Sequence, residues 1–225
     1  MSAHSRRDSV AWIVSGGVFA GVMAAIALRY FHFGAVLDPG FFAYPSHVAA
    51  DCAAGSAEGD QASEAPRFVV RAPENYAPTY AHPLLVVFSP AGFTAELSER
   101  HLGMTRAATS AGILVAYVDS LPLGRAAIAA FASVPSRVAR RWCIDAARIT
   151  LAGHSDGGTV AQIVALAHPD RGFQPAAIVA SAAGVQASDL APFNCPQALS
   201  VHLWHGARDT HFPGYGASVA SGWAQ

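Results

Sequence analysis

The sequence predicts an α/β fold built on a mostly parallel sheet with helices on both faces. Three observations predict it. The runs Leu84-Leu85-Val86-Val87-Phe88 and Ile113-Leu114-Val115-Ala116-Tyr117-Val118 are apolar throughout. A strand with one wet face alternates apolar and polar residues, so unbroken apolar runs belong to strands covered on both sides. Stretches of helical length separate these runs, which is the alternation expected of βαβ units. Third, the strand-like run 148–152 passes through Gly153-His154-Ser155-Asp156-Gly157-Gly158 directly into a helical stretch. No internal repeat is present.

The elements follow in order. Residues 67–71 (Arg-Phe-Val-Val-Arg) alternate as an outer strand, and the turn-rich 73–78 follows. Strand 84–88 ends at Ser89-Pro90. A helix is expected over 94–110, with Gly112 as its stop. Strand 113–118 leads to a helix over 125–142. Strand 148–152 precedes the glycine-rich turn, and the helix after it is expected over 159–167. Strands 177–180 and 199–204 come next, and the last helix is expected over 217–224. The folded domain is expected over 66–225. Residues 31–65 read as a linker, with 51–64 rich in Ala, Gly, Ser and acidic residues and lacking apolar periodicity.

Residues 1–30 read as a membrane anchor or signal segment. Arg6 and Arg7 precede an uncharged run over 10–28, and Arg29 closes it. That run of about 19 residues is long enough to span a bilayer. The paired arginines favour a cytoplasmic N-terminus. An uncleaved anchor fits the length; a cleaved signal peptide fits the small residues around Ala25-Ile26-Ala27. Either way the domain is expected outside the cytoplasm, periplasmic or secreted, with a membrane contact through 10–28. Three cysteines, Cys52, Cys143 and Cys195, allow one internal disulfide in three possible pairings.

At 225 residues the chain is long enough for a sizeable core. Its charged fraction is 13% and its net charge −1, and it has no basic run, so nucleic acid is not an expected partner.

The candidate chemistry centres on Ser155. A serine on a tight strand-to-helix turn has its hydroxyl pushed out beyond the sheet edge. Gly153 and Gly157 are expected because side chains there would strike the neighbouring strand and helix, and Gly158 allows close packing. The following helix aims its N-terminal N–H groups and positive dipole end at the site, which suits attack that builds up negative charge. A serine hydroxyl also needs a base, a carboxylate to orient the base, and donors for the oxyanion. Asp209, on the loop after the apolar strand that runs into His205-Gly206, is the candidate acid. The candidate oxyanion donors are the N–H of Asp156, which follows the nucleophile, and that of Ala91 in the Ser89-Pro90-Ala91-Gly92 loop. Pro90 has no N–H, and Gly92 allows that loop to bend.

These segments resemble the α/β-hydrolase superfamily. Within it they are most similar to the esterase group of poly(3-hydroxybutyrate) depolymerases, feruloyl esterases and acetylxylan esterases. The matching pieces are 83–92, 143–149, 153–158 and His205-Gly206-x-x-Asp209-x-x-x-Pro213. The resemblance implies a serine esterase working through an acyl-enzyme on a small or polymeric ester, without cofactor or metal. Two local departures are Ser89-Pro90 in place of His-Gly, and Ser155-Asp156 in place of Ser-Asn.

In that superfamily the base histidine follows the acid after one further strand. No histidine follows His211, and the sequence ends at Gln225. The expectation is therefore a domain lacking its last strand and impaired by absence of the base, or a substitute histidine. His211 is nearest, but one loop would then carry both acid and base. His154, His202 and His205 read as packing residues. A metal cluster of His202, His205, Asp209 and His211 is disfavoured, because adjacent strand positions face opposite ways. Two further readings share the fold: a non-catalytic, membrane-tethered binding domain, and a peptidase with the same acyl-transfer machinery.

Overall fold

Six strands hydrogen-bond into one sheet: β1 (Phe68–Arg71), β2 (His82–Phe88), β3 (Leu114–Val118), β4 (Ile144–His154), β5 (Ala177–Ser181) and β6 (Ser200–Trp204). This is a computed structural model; residues 64–167, 173–193 and 199–224 are described. They all lie in the second of two units, Met1–Pro45 and Ser46–Gln225. The expectations for residues 1–30 and for all but the end of the linker fall outside the described residues. Among the described residues no helix is long and apolar enough to cross a membrane.

The strand order is β1-β3-β2-β4-β5-β6. β1 runs antiparallel to β3, and the other neighbouring pairs are parallel. From β2 the chain passes to β3 on one side, and β4 then takes the other side. The strand order therefore reverses at β2 and β4, and open α/β sheets hold their ligands beyond the carboxyl ends of strands at such a reversal. The two runs that carry the candidate chemistry, 89–92 and 153–158, begin at those ends.

Side-chain alternation divides the core between two faces. Leu84, Val86 and Phe88 join Leu114, Ala116, Val118, Ile149, Leu151, Ile178 and Ala180 on one face. Leu85 and Val87 join Val115 and Tyr117 on the other. The second face is covered by α1 (Ala95–Leu102) and α2 (Thr105–Ser110), the first by α3 (Arg125–Ala132), α4 (Val134–Ala139) and α5 (Asp156–Ala167). A smaller cluster of Leu166, Val185, Leu190 and Val219 seats α6 (Ala187–Leu190) and α7 (Tyr215–Trp223). Each fully buried Leu, Val or Ile contributes about 1.5–3 kcal/mol.

Several expected boundaries move, each for a local reason. The helix expected over 94–110 is two. Gly103 closes α1 in the left-handed region (φ 62), with its N–H donating to Glu99 O, and a side chain there would be strained. The helix expected over 125–142 is also two. Pro135 has no N–H, and in a continuous helix its ring would crowd the Phe131 carbonyl; instead it sits in the first turn of α4. Pro83 likewise lacks an N–H, and the β2–β4 register shifts between His82 and Leu84. The helix expected from 159 begins at Asp156, and the strand expected from 148 begins at Ile144. The short α6 was not foreseen. Cys143 is disulfide-bonded, so Cys52 or Cys195 is its partner, and both lie outside the described residues.

Two polar clamps hold the β1 side. Arg137, 6% exposed, donates to Pro66 O (3.0 Å) and Glu64 O (2.7 Å) and lies over the Phe68 ring at 4.9 Å. Arg137→Ala would lose charge-assisted bonds and the packing of the stem. The expected cost is about 2 kcal/mol, read from urea unfolding. Arg71 grips Glu99 with Nε to Oε1 at 2.8 Å and a terminal nitrogen to Oε2 at 2.7 Å, and the Thr105 hydroxyl donates to Oε1 at 2.8 Å. The Arg71 guanidinium, and after it the Thr105 hydroxyl, hold the Glu99 carboxyl below its ordinary value of 4.5. This stabilisation is complete above that value and is lost as pH falls through the lowered one. Glu99→Gln is therefore expected to reduce the difference in urea midpoint between pH 7 and pH 3. An unchanged difference would refute the assignment.

Candidate active site

Ser155 occupies the bend between β4 and α5 with φ 55, in the left-handed region that non-glycine residues rarely enter. Such a conformation costs about 1–3 kcal/mol and persists only where neighbours impose it. Here the Ser155 N–H donates to Ser181 O at the end of β5 (2.9 Å), and Ser155 O accepts from Thr159 N in the first turn of α5 (3.1 Å). The glycines let the turn close. A Cβ on Gly153 would fall 2.2 Å from the Gly157 carbonyl carbon, and one on Gly157 would fall 2.0 Å from Phe88 O. A Cβ on Gly158 would lie 3.1 Å from both Gly153 O and Ser181 O. Helix α5 thus lies backbone against backbone on the carboxyl ends of β2 and β4. Ser155 is half-buried, and its Oγ is hydrogen-bonded to no described residue.

The loop after β2 is anchored from below. Ser89, buried, donates through Oγ to Val118 O (2.5 Å) and accepts from Ser98 Oγ of α1 (2.5 Å). Phe93 N donates to Pro90 O (3.1 Å), closing a turn in which Gly92 has φ 75. Phe93 O accepts from Ser120 N (2.9 Å), and Asp119 Oδ1 accepts from Ala95 N (2.7 Å). Ala91 is exposed at the tip of this turn, and its N–H is engaged by no described residue. Asp156 is the first residue of α5, so its N–H has no acceptor within the helix. The Gly157–Phe88 contact brings that helix end against the start of the Ala91 loop.

Asp209 lies on the loop after β6, at the same edge of the sheet. Its Oδ1 accepts from His211 N (2.8 Å) and Phe212 N (2.9 Å), and its Oδ2 lies 3.4 Å from His205 Nε2. The Phe212 N–H, and after it the His211 N–H and the charges of the His205 and His211 rings, hold its carboxyl below the ordinary value of 3.8. It is therefore ionised through the neutral range. β4 and β6 are separated by β5, so about 10 Å lies between their ends.

Six of the ten histidines are described, and the rings of five of them meet other partners. His154 Nδ1 meets Ser181 Oγ at 3.0 Å. His202 stacks beside Trp204, with centroids 6.2 Å apart. His205 packs on Gly216 of α7, and its Nε2 lies 3.1 Å from Phe212 O. His211 is exposed beside Asp209. His82 Nδ1 meets Gly112 O at 2.9 Å, and His101 lies edge-on to Phe93 at 5.5 Å. Among the described residues no group of three metal-ligating side chains converges. The Ser89–Ser98 pair escaped the sequence reading, because nothing in 94–102 marks one buried serine among exposed polar residues.

No family model matches the chain, and no curated protein is similar to it in sequence. Solved structures are similar in fold. A thermostable esterase superposes with TM-score 0.58 at 16% identity, over 73% of this chain and 50% of its own. The enterobactin esterase of Shigella flexneri gives TM-score 0.56 at 15% identity, over 79% of this chain and 54% of its own. Esterase 2 of Thermogutta terrifontis gives 0.54 at 14%, over 80% of this chain and 81% of its own. The chain thus spans about half the length of the first two. It shares its α/β fold with these esterases.

Proposed function

We propose that the protein is a serine hydrolase of carboxylic esters. The left-handed Ser155 at the switch point of the sheet carries this reading. In the proposed reaction Ser155 Oγ attacks the ester carbonyl carbon and its proton passes to a base. The N–H groups of Asp156 and Ala91 hold the resulting oxyanion. The alkoxide leaves with a proton from the base, giving an acyl-enzyme, and water then releases the acid. Asp209 is the group that orients the base. The gap between the ends of β4 and β6 suits one imidazole and its two hydrogen bonds of about 3 Å each.

No histidine among the described residues is hydrogen-bonded to Ser155 Oγ, and the described domain by itself is proposed to be a slow catalyst. Imidazole in solution should then supply the missing general base. Protein-dependent hydrolysis of 4-nitrophenyl acetate is expected to rise by up to about 100-fold with added imidazole, the low end of what positioned general bases contribute. Fast turnover without imidazole would overturn the proposed impairment. No protein-dependent turnover under either condition would favour a binding domain on the same fold. The finer reading is an esterase like the poly(3-hydroxybutyrate) depolymerase, feruloyl and acetylxylan group, supported by the segments 83–92, 143–149 and 205–213. It includes placement outside the cytoplasm through residues 10–28, which protease accessibility in spheroplasts tests.

A further inference from the structure

A groove of about 530 Å³ runs between α3 and α5. Both helices follow parallel strands, β3 and β4, so both start at the edge where Ser155 lies. On the α5 side the groove is lined by Thr159, Ile163 and Ala167, spaced four residues apart on one helical stripe. That stripe is about 12 Å long and begins one turn beyond Ser155. Leu123 and Ile128 line the opposite wall, and Phe193 completes it. Arg125 is the one charged residue among them. The Thr159 hydroxyl is already used, accepting from Gly184 N at 2.9 Å. The volume falls in the range of small-ligand sites, and the lining offers little to a sugar hydroxyl.

We infer that this groove binds the hydrocarbon chain of a medium-length acyl group whose ester carbonyl sits at Ser155. The inference rests on Ser155 as the acyl-transfer nucleophile and adds the class of substrate. Proximity decides the occupant: the α5 wall of the groove begins at Thr159, one helical turn from the nucleophile, so an acyl group held at Ser155 is placed to extend its chain into it. Leu123 is 47% exposed, although it is a large apolar side chain at the groove mouth. An acyl chain would cover it.

Two measurements test this. With imidazole present, kcat/KM for 4-nitrophenyl esters is expected to rise from acetate through butanoate to octanoate, by up to about fourfold per methylene buried. Leu123→Asp, at an exposed position, should flatten the series, lowering the octanoate rate far more than the acetate rate. Independently of turnover, octanamide is expected to shift the backbone NMR signals of Ile163 and Ala167 while acetamide does not, and Leu123→Asp should weaken that binding at least tenfold. A flat chain-length series with measurable acetate hydrolysis, or octanamide shifts confined to other surfaces, would overturn the groove assignment. Octanamide binding in the groove with no hydrolysis of any ester would uphold the groove and overturn Ser155 as nucleophile.

Discussion

Ser155→Ala is expected to abolish the protein-dependent increment that imidazole adds to the hydrolysis of 4-nitrophenyl acetate. Nucleophile and base act as a unit, so their removals are far from additive. An unassisted serine hydroxyl is a poor nucleophile, and in serine hydrolases the rate left without base assistance comes from the oxyanion donors and binding. The substitution should therefore change the unstimulated rate by less than about threefold, yet abolish the whole stimulated increment. This pattern separates acyl transfer at Ser155 from general surface catalysis, which would not depend on Ser155 with or without imidazole. Loss of the smaller basal rate together with retention of the stimulated one would refute the assignment.

Gly157→Ala is expected to cost about 3 kcal/mol or more, or to prevent folding. The added methyl would fall 2.0 Å from Phe88 O and 2.7 Å from Phe88 C. Both atoms belong to the backbone of β2, a central strand bonded on both sides, so no flexible side chain can give way. Gly92→Ala is the contrast. A Cβ there meets nothing within 4 Å, and only the positive φ of 75 opposes it, at about 1–2 kcal/mol. Urea unfolding of the two variants reads the difference directly. Equal small losses would mean that α5 does not lie against β2 as described.

The unbroken apolar runs made the sheet legible in the sequence: a strand buried on both faces has no other way to be written. Every strand expected from 66 onward is present, including the short antiparallel β1, whose Phe68-Val69-Val70 run is bounded by arginines. The elbow was legible because its glycines answer a steric demand, visible as the contacts of Gly153 and Gly157 with opposing backbone. Helix ends were less legible. Gly103 and Pro135 break helices whose composition alone would continue them, and the reset depends on how each half meets the sheet. The anchoring of the Ala91 loop by Ser89 and Ser98 was illegible, since those residues meet only once β2, β3 and α1 are assembled. The histidines were read from their places along the chain, and the contacts of His154 with Ser181 and of His205 with Gly216 and Phe212 supply the partners that position alone could not name.

The most direct test is the site of covalent capture by diethyl 4-nitrophenyl phosphate, with imidazole present. A nucleophilic hydroxyl in an open crevice forms an O–P bond and expels 4-nitrophenolate. Peptide mapping should then find the diethylphosphoryl group on Ser155 alone, and nowhere in Ser155→Ala. Modification of other residues with Ser155 left free would contradict the proposed chemistry.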